Sequence, residues 1–334
     1  ATVSGEFSDV GLLDSFTVTI DWGEGAPESF AYPAGSTGFS ETHQYLDDNP
    51  TATSSDVYDI TVTVSDDDGG SASDDSAAVT VNNLAPEVGD ITVDFDLVEI
   101  GTEITASAGF TDVGTQDTHV ATWNWGDGSS GTGTVTQGSG SGSVEDTHIY
   151  DEPGVYSVEL TITDDDTGTD SVVYQYVVVY DPNGSFVTGG GRIDSPPGAY
   201  LDDPSLTGMA NFGFVSKYKK GANIPTGHTE FQFKAAGLDF KSTDYEWLVV
   251  AGARAKFKGT GTIQHVEGSF GFMLTAVDGA ISGGGGADKF RIKIWDANDD
   301  SIIVYDNEMG SPDDAEATTV IQSGSIVIHS KGKK

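Results

Sequence analysis

The sequence predicts an all-β chain: two tandem β-sandwiches followed by a larger antiparallel β domain. Three observations carry this. Apolar residues recur with period two, as in Val18, Ile20 and Trp22 against Thr17, Thr19 and Asp21, the spacing of strands with one buried face. Forty-four glycines and abundant Thr, Ser and Val suit short strands joined by tight turns. An internal repeat then sets the domain count, since 334 residues are enough for two or three domains.

The repeat is found by sliding the chain on itself. Phe7-Ser8-Asp9-Val10-Gly11 aligns with Phe110-Thr111-Asp112-Val113-Gly114, and Asp14, Trp22, Gly23 and Gly25 align with Asp117, Trp125, Gly126 and Gly128. Further on, His43 and Tyr45 pair with His148 and Tyr150, and Tyr58 and Asp66-Asp67-Asp68 pair with Tyr156 and Asp164-Asp165-Asp166. The offset changes between the His-x-Tyr pair and the next strand, where Leu46 to Val57 is longer than Asp151 to Val155, so a surface loop absorbs the difference.

Asp21-Trp22-Gly23-Glu24-Gly25 and Asn124-Trp125-Gly126-Asp127-Gly128, each followed by His-x-Tyr, and Pro153-Gly154-Val155-Tyr156 before a strand ending in Asp-Asp-Asp, resemble the polycystic kidney disease (PKD) repeat. The resemblance covers residues 1–181 and implies immunoglobulin-like sandwiches of an extracellular protein. Repeat 1 departs from the pattern, with Glu24 in the turn and no Pro-Gly before Tyr58. The expected domains are 1–84, 85–181 and 182–334.

From Phe186 onward the text changes to Gly189-Gly190-Gly191, Gly283 to Gly286 and longer alternating runs. Phe290, Ile292 and Ile294 alternate with Lys289, Arg291 and Lys293, and the turn-rich Asp296 to Asp300 separates them from Ile302 to Tyr305, which predicts a hairpin. Val187 to Gly191, Ala210 to Phe214, Pro225 to His228 and Lys289 to Asp296 resemble a C-terminal domain common in secreted bacterial PKD-repeat proteins. That resemblance implies location and architecture, with no activity attached.

Charge divides the chain. Residues 1–181 hold 35 acids and no Lys or Arg, whereas residues 182–334 hold 18 acids and all 15 bases. A net charge of −38 repels phosphate backbones and anionic membranes, which excludes nucleic acid as an expected partner. Cysteine is absent, so no disulfide framework, thiolate metal site or cysteine nucleophile exists. No apolar run approaches the ~18 residues of a membrane span, and Ala1 opens without Met or a signal-like segment, which suggests a soluble, already processed chain or a fragment.

No catalytic set is evident: there is no His-Glu-x-x-His, no Gly-x-Ser-x-Gly and no phosphate-binding loop. The expectation is a non-catalytic protein, with His43 and His148 as structural residues at one sandwich end. The Asp clusters are more informative. In the immunoglobulin-like sandwich that the resemblance implies, the loop between the second and third strands and the loop before the last strand emerge at one end, which brings Asp9 and Asp14 toward Asp66, Asp67 and Asp68, and Asp112 and Asp117 toward Asp164, Asp165 and Asp166. Carboxylates converging in this way call for a hard cation, and Ca²⁺ takes about six to eight oxygens from flexible loops. The linker Asn82 to Glu87 is expected to reach the second cluster. Asn183-Gly184-Ser185 is an N-glycosylation triplet, a weak signal on its own.

Aligning Ala1 with Ile104 leaves Pro86 to Glu103, with its alternating Ile91, Val93, Phe95 and Leu97, without a counterpart in repeat 1. The first sandwich is therefore expected to lack its first strand and to present a strand-acceptor groove beside Ala1, Val3, Gly5 and Phe7. Ile326, Val327 and Ile328 form the candidate donor strand. The function that follows is a structural subunit of a calcium-stabilised extracellular fibre or stalk, polymerising head to tail with identical subunits. The alternative is a carbohydrate-binding or adhesive accessory module of a larger secreted protein, with glycans as partners. Arg254, Lys256 and Lys258, and Lys289, Arg291 and Lys293, each read as a basic stripe suited to a neighbour's acidic sandwich.

Overall fold

The computed structural model describes residues 1–11, 13–48 and 53–329. The first unit contains β1 (Thr2–Glu6), β2 (Phe16–Asp21), β3 (Glu28–Tyr32), β4 (Gly38–Thr42), β5 (Ser55–Asp66) and β6 (Ser71–Asn82). They form a two-stranded sheet, β1-β4, facing a four-stranded sheet, β3-β2-β5-β6. Alternation places Val18, Ile20, Trp22, Ile60 and Val62 between the sheets.

The second unit contains β7 (Glu87–Val88), β8 (Thr92–Val93), β9 (Leu97–Glu99), β10 (Glu103–Thr111), β11 (His119–Asn124), β12 (Ser130–Gly131), β13 (Thr134–Gly138), β14 (Ser141–Ile149), β15 (Gly154–Asp164) and β16 (Thr169–Tyr180). One sheet runs β13-β14-β10-β7, with β8 also on β10; the other runs β12-β11-β15-β16-β9. Residues 87–99 change sheets: β7 and β8 pair antiparallel with β10, and β9 then pairs parallel with β16. This segment seals the second sandwich, where Ile91 and Val98 are buried with Ile104, Ala106 and Phe110.

The third unit contains β17 (Phe186–Ser195), β18 (Gly208–Lys217), β19 (Thr226–Phe233), β20 (Leu238–Ala251), β21 (Arg254–Ile263), β22 (Phe270–Val277), β23 (Lys289–Asp296), β24 (Asp299–Asp306) and β25 (Ser323–His329). All nine form one meandering sheet, with β25 returning beside β17. Its inner face carries an aromatic core that includes Phe212, Phe231, Phe257, Phe272 and Phe290. The sheet's outer edge at β25 is closed by the connection between β22 and β23: away from β17, the N–H groups of Ile326 and Ile328 donate to the carboxylates of Asp288 (2.8 Å) and Asp278 (2.9 Å).

That closure corrects the donor-strand expectation. Ile326, Val327 and Ile328 belong to the last strand of their own domain, with Ile326 and Ile328 buried in its core and both edges of the strand engaged. The basic stripes are corrected too. Strand order places them on one outer face, Lys256 level with Thr275 and Thr275 with Arg291, and residues 311–316 cover that face. Arg291, 2% exposed, holds Asp306 through two bonds and the Ser311 and Pro312 carbonyls through two more. Lys256 donates to the carbonyls of Asp313 and Ala315, Lys293 pairs with Asp313, and Arg254 pairs with Glu316. Arg291, Lys256, Lys293 and Arg254 are thus engaged within the chain, and Lys258 pairs with Glu246.

The third unit also docks on the second. Val155, Tyr176 and Val178 pack against Trp247, Val249, Met273 and Trp295, and the Ser157 hydroxyl donates to Asp314 at 2.8 Å.

Candidate metal centre

The repeated Trp-Gly and His-x-Tyr motifs build one structural cluster per sandwich. His148 stacks on Trp125 at 4.8 Å and bonds Asp127 at 2.8 Å, while the Tyr150 hydroxyl donates to the Trp125 carbonyl at 2.9 Å. In the first sandwich His43 stacks on Trp22 at 5.0 Å, Tyr45 donates to the Trp22 carbonyl, and Glu24 bonds His43 at 2.8 Å. Glu24 thus does the work of Asp127, with its longer side chain reaching the same ring. Gly126 sits at φ 79°, and a Cβ there would press on the Ser157 carbonyl oxygen, so the turn requires glycine.

The acidic loops emerge at the other end of each sandwich. In the second unit Asp112, Asp117 and Asp164 place carboxylate oxygens within 4.8 Å of one another, and a second set joins Asp117 and Asp166 to Asp47 of the first unit. Asp47 and Asp48 come from the long loop of repeat 1, whose equivalent in repeat 2 is short. Sequence comparison therefore gave no signal for them. Asp112, Asp117, Asp164, Asp166 and Asp48 are all buried.

Most of these carboxylates have partners that orient them. Asp164 accepts from the N–H groups of Asp166 and Gly168 and from the side-chain amide of Asn83, which is where the linker reaches the cluster. Asp112 accepts from Gly114 N–H and bonds His119 at 2.9 Å. His119, absent from the sequence expectations because its counterpart in repeat 1 is Phe16, acts as an orienting partner behind Asp112. Asp166 accepts from Thr53 N–H.

Asp117 is different. It is 7% exposed, and among the described residues neither of its carboxylate oxygens has a hydrogen-bond partner. One oxygen each of Asp47 and Asp48 is likewise buried without one. Gly114 lies directly under the Asp117 carboxylate, where any Cβ would collide with it. Burial first, and then the facing carboxylate of Asp47 and the charges of Asp112 and Asp164, push Asp117 up to about 8. Burial and the charges of Asp48 and Asp47 push Asp166 up to about 6.

Two like charges at 4.8 Å repel by about 3–4 kcal/mol at an effective dielectric of about 20. Neither sandwich contains a Lys or Arg to offset this. What relieves such a cluster is a retained proton or a cation among the oxygens. Oxygens up to 4.8 Å apart can lie on opposite sides of a Ca²⁺ that binds each at about 2.4 Å. The donor set, all carboxylate, is that of a hard cation.

The remaining predicted ligands are placed differently. Asp9, Asp14 and Asp66 come within 4.8 Å of one another but lie at the surface. Asp66 accepts from the N–H groups of Asp68 and Gly70, and Asp9 from Gly11. Asp67 and Asp165 clamp the facing loops instead, accepting from Ser15 N–H and Thr118 N–H, and both are exposed. Asp67, Asp68 and Asp165 join no ligand group among the described residues. Asn183 is exposed in the turn that leads into β17.

Comparison with solved structures finds low likeness. One, from a study of the promiscuous specificity of carbohydrate-binding modules of the β-sandwich superfamily, is 14% identical, with 75% of this chain and 97% of that chain covered and a TM-score of 0.26. Another, a DUF4784 family protein from Bacteroides caccae, is 10% identical, covering 67% and 71%, with a TM-score of 0.15. Scores this low carry no argument about fold or ligand. None of the curated proteins matches the chain. Residues 83–179 do match the family model of the PKD domain, and the second unit is therefore a PKD-type domain in a multidomain all-β chain.

Proposed function

We propose that this chain is a non-catalytic, extracellular accessory module with an adhesive role: an acidic two-sandwich stalk, locked at its joint by Ca²⁺, that carries a C-terminal β domain and presents it to a glycan or surface. The observation that carries the proposal is the buried carboxylate cluster shared across the joint, with both Asp117 oxygens unpartnered and Asp47 reaching it from the first sandwich. A cation held by both sandwiches stiffens their junction, because bending there separates ligands from the ion. Millimolar calcium outside cells would keep such a site filled. The motif residues that look like chemistry, the His-Trp-Tyr clusters, are consumed by packing and backbone bonds, which supports a non-catalytic role.

Small-angle X-ray scattering of the chain in millimolar Ca²⁺ and in chelator tests the lock. The expected result is a single extended particle with calcium and a broader, more flexible distribution without it. Identical scattering in the two conditions overturns the calcium-locked joint. A glycan array probed with the calcium-bound chain tests presentation separately.

A further inference from the structure

We infer that the joint holds two Ca²⁺ ions bridged by the Asp117 carboxylate: a first ion bound by the second sandwich alone, and a second, filling at higher calcium, that joins the two sandwiches. The inference rests on the calcium-locked joint proposed above and divides that lock into two steps.

The geometry separates two positions. Asp112, Asp117 and Asp164 place oxygens within 4.8 Å of one another, as do Asp47, Asp117 and Asp166, and the two sets share only Asp117. The five residues do not merge into one set. A Ca²⁺ bound at about 2.4 Å to each ligand has those ligands no more than about 4.8 Å apart, so one ion reaches either set and not both. Asp117 suits the shared position. Both of its oxygens are buried and, among the described residues, without a hydrogen-bond partner, so the carboxylate can give one oxygen to each ion.

Charge leads to the same number. The two sets comprise five carboxylates, and Asp48, buried with one oxygen unpartnered and felt by Asp166, adds a sixth. Residues 1–181 contain no Lys or Arg. One Ca²⁺ therefore leaves four negative charges in the ionised cluster and two ions leave two. Like charges at this spacing repel strongly where water is excluded, and the bridging carboxylate between the ions offsets their own repulsion.

The order of filling follows from what holds each set. Asp112 is fixed by Gly114 N–H and His119, and Asp164 by the N–H groups of Asp166 and Gly168 and by Asn83. These ligands are oriented before any ion arrives, which favours tight binding. The other set draws Asp47 from the first sandwich, so its ion must also fix one sandwich against the other, at a cost in affinity. Calcium that fills the first position leaves the joint free, and only the second ion closes it.

Equilibrium dialysis of the full chain against radioactive Ca²⁺ tests this, in roughly 0.15 M salt to screen exposed carboxylates. The parent carries Asp9→Asn and Asp14→Asn, so that the surface group of the first sandwich holds no ion. The expected result is two ions per chain with dissociation constants at least about tenfold apart. Asp47→Asn should weaken the second ion at least about tenfold while leaving the first within about threefold, since affinity follows the charge of an ion's own ligands. Small-angle scattering along the same titration should remain that of a flexible particle while the first ion binds and become extended as the second does. Asp166→Asn changes the same set from the second sandwich; it should reproduce the Asp47→Asn result and serves if the Asp47 loop rearranges. A single ion that locks the joint overturns the two-ion centre and leaves the calcium lock standing. Two ions that Asp47→Asn and Asp166→Asn weaken alike, or not at all, also overturn it. No bound ion overturns the lock and this inference together.

Discussion

Asp117→Asn should change the stability of this protein in opposite directions with and without calcium. In chelator the wild type must either keep a proton on Asp117, whose carboxyl is pushed up to about 8, or carry a further negative charge in a buried cluster whose oxygens lie within 4.8 Å, and the substitution removes that cost. Each such pair costs about 3–4 kcal/mol at an effective dielectric of about 20. Asparagine keeps the shape, so the net gain is about 2–4 kcal/mol after allowance for the poor hydrogen bonding of its amide. In calcium the wild type gains RT ln(1 + [L]/Kd), about 2.7 kcal/mol at 100 times Kd, and the variant, lacking a charged ligand shared by both sets, loses most of that. At roughly 2–4 °C per kcal/mol for the two sandwiches melting together, calorimetric melting should place Asp117→Asn about 4–16 °C above wild type in chelator. In millimolar Ca²⁺ it should gain little from the ion. A shift of the same sign in both conditions, or a wild-type melt indifferent to calcium, refutes the metal centre.

Three further outcomes follow from other sites. Gly126→Ala and Gly128→Ala both place alanine at positive φ (79° and 91°), but only at 126 would the Cβ meet backbone; denaturant titration should show Gly126→Ala less stable than Gly128→Ala by about 1–3 kcal/mol. Arg291→Leu leaves Asp306 buried and unpaired, and should cost about 3–5 kcal/mol in the same assay. Burial pulls Lys256 down to about 8 from its ordinary 10.5, so between those pH values the unfolded chain holds a proton that the folded one does not. Stability should therefore rise with pH across that window. In Lys256→Met the rise, followed by melting temperature from pH 7.5 to 9.5, should flatten.

Local pattern was enough for the strands, the repeat and the His-Trp-Tyr clusters. The alternation of Val18, Ile20 and Trp22 follows from a period of two, and the paired motifs recur because each builds the same small constellation. The second acidic cluster was legible for a similar reason: Asp112, Asp117 and Asp164 lie on loops that any antiparallel sandwich brings to one end.

What the tertiary structure decided depends on contacts between segments that share no local pattern. Asp47 and Asp48 enter the centre from a loop that repeat 2 does not possess at that length, so no internal comparison could flag them. Arg254, Lys256 and Lys258 looked like one exposed stripe and Lys289, Arg291 and Lys293 like another, because alternation assigns a face and says nothing of what covers it. Strand order set them side by side, and residues 311–316 folded over Arg254, Lys256, Arg291 and Lys293. The run Ile326 to Ile328 had the alternation of a free strand, and a nine-stranded sheet, its β25 edge closed by Asp278 and Asp288, took it into its own core. Periodicity is a property of one strand, whereas burial and pairing belong to two or more, and chain geometry alone determines which strands meet.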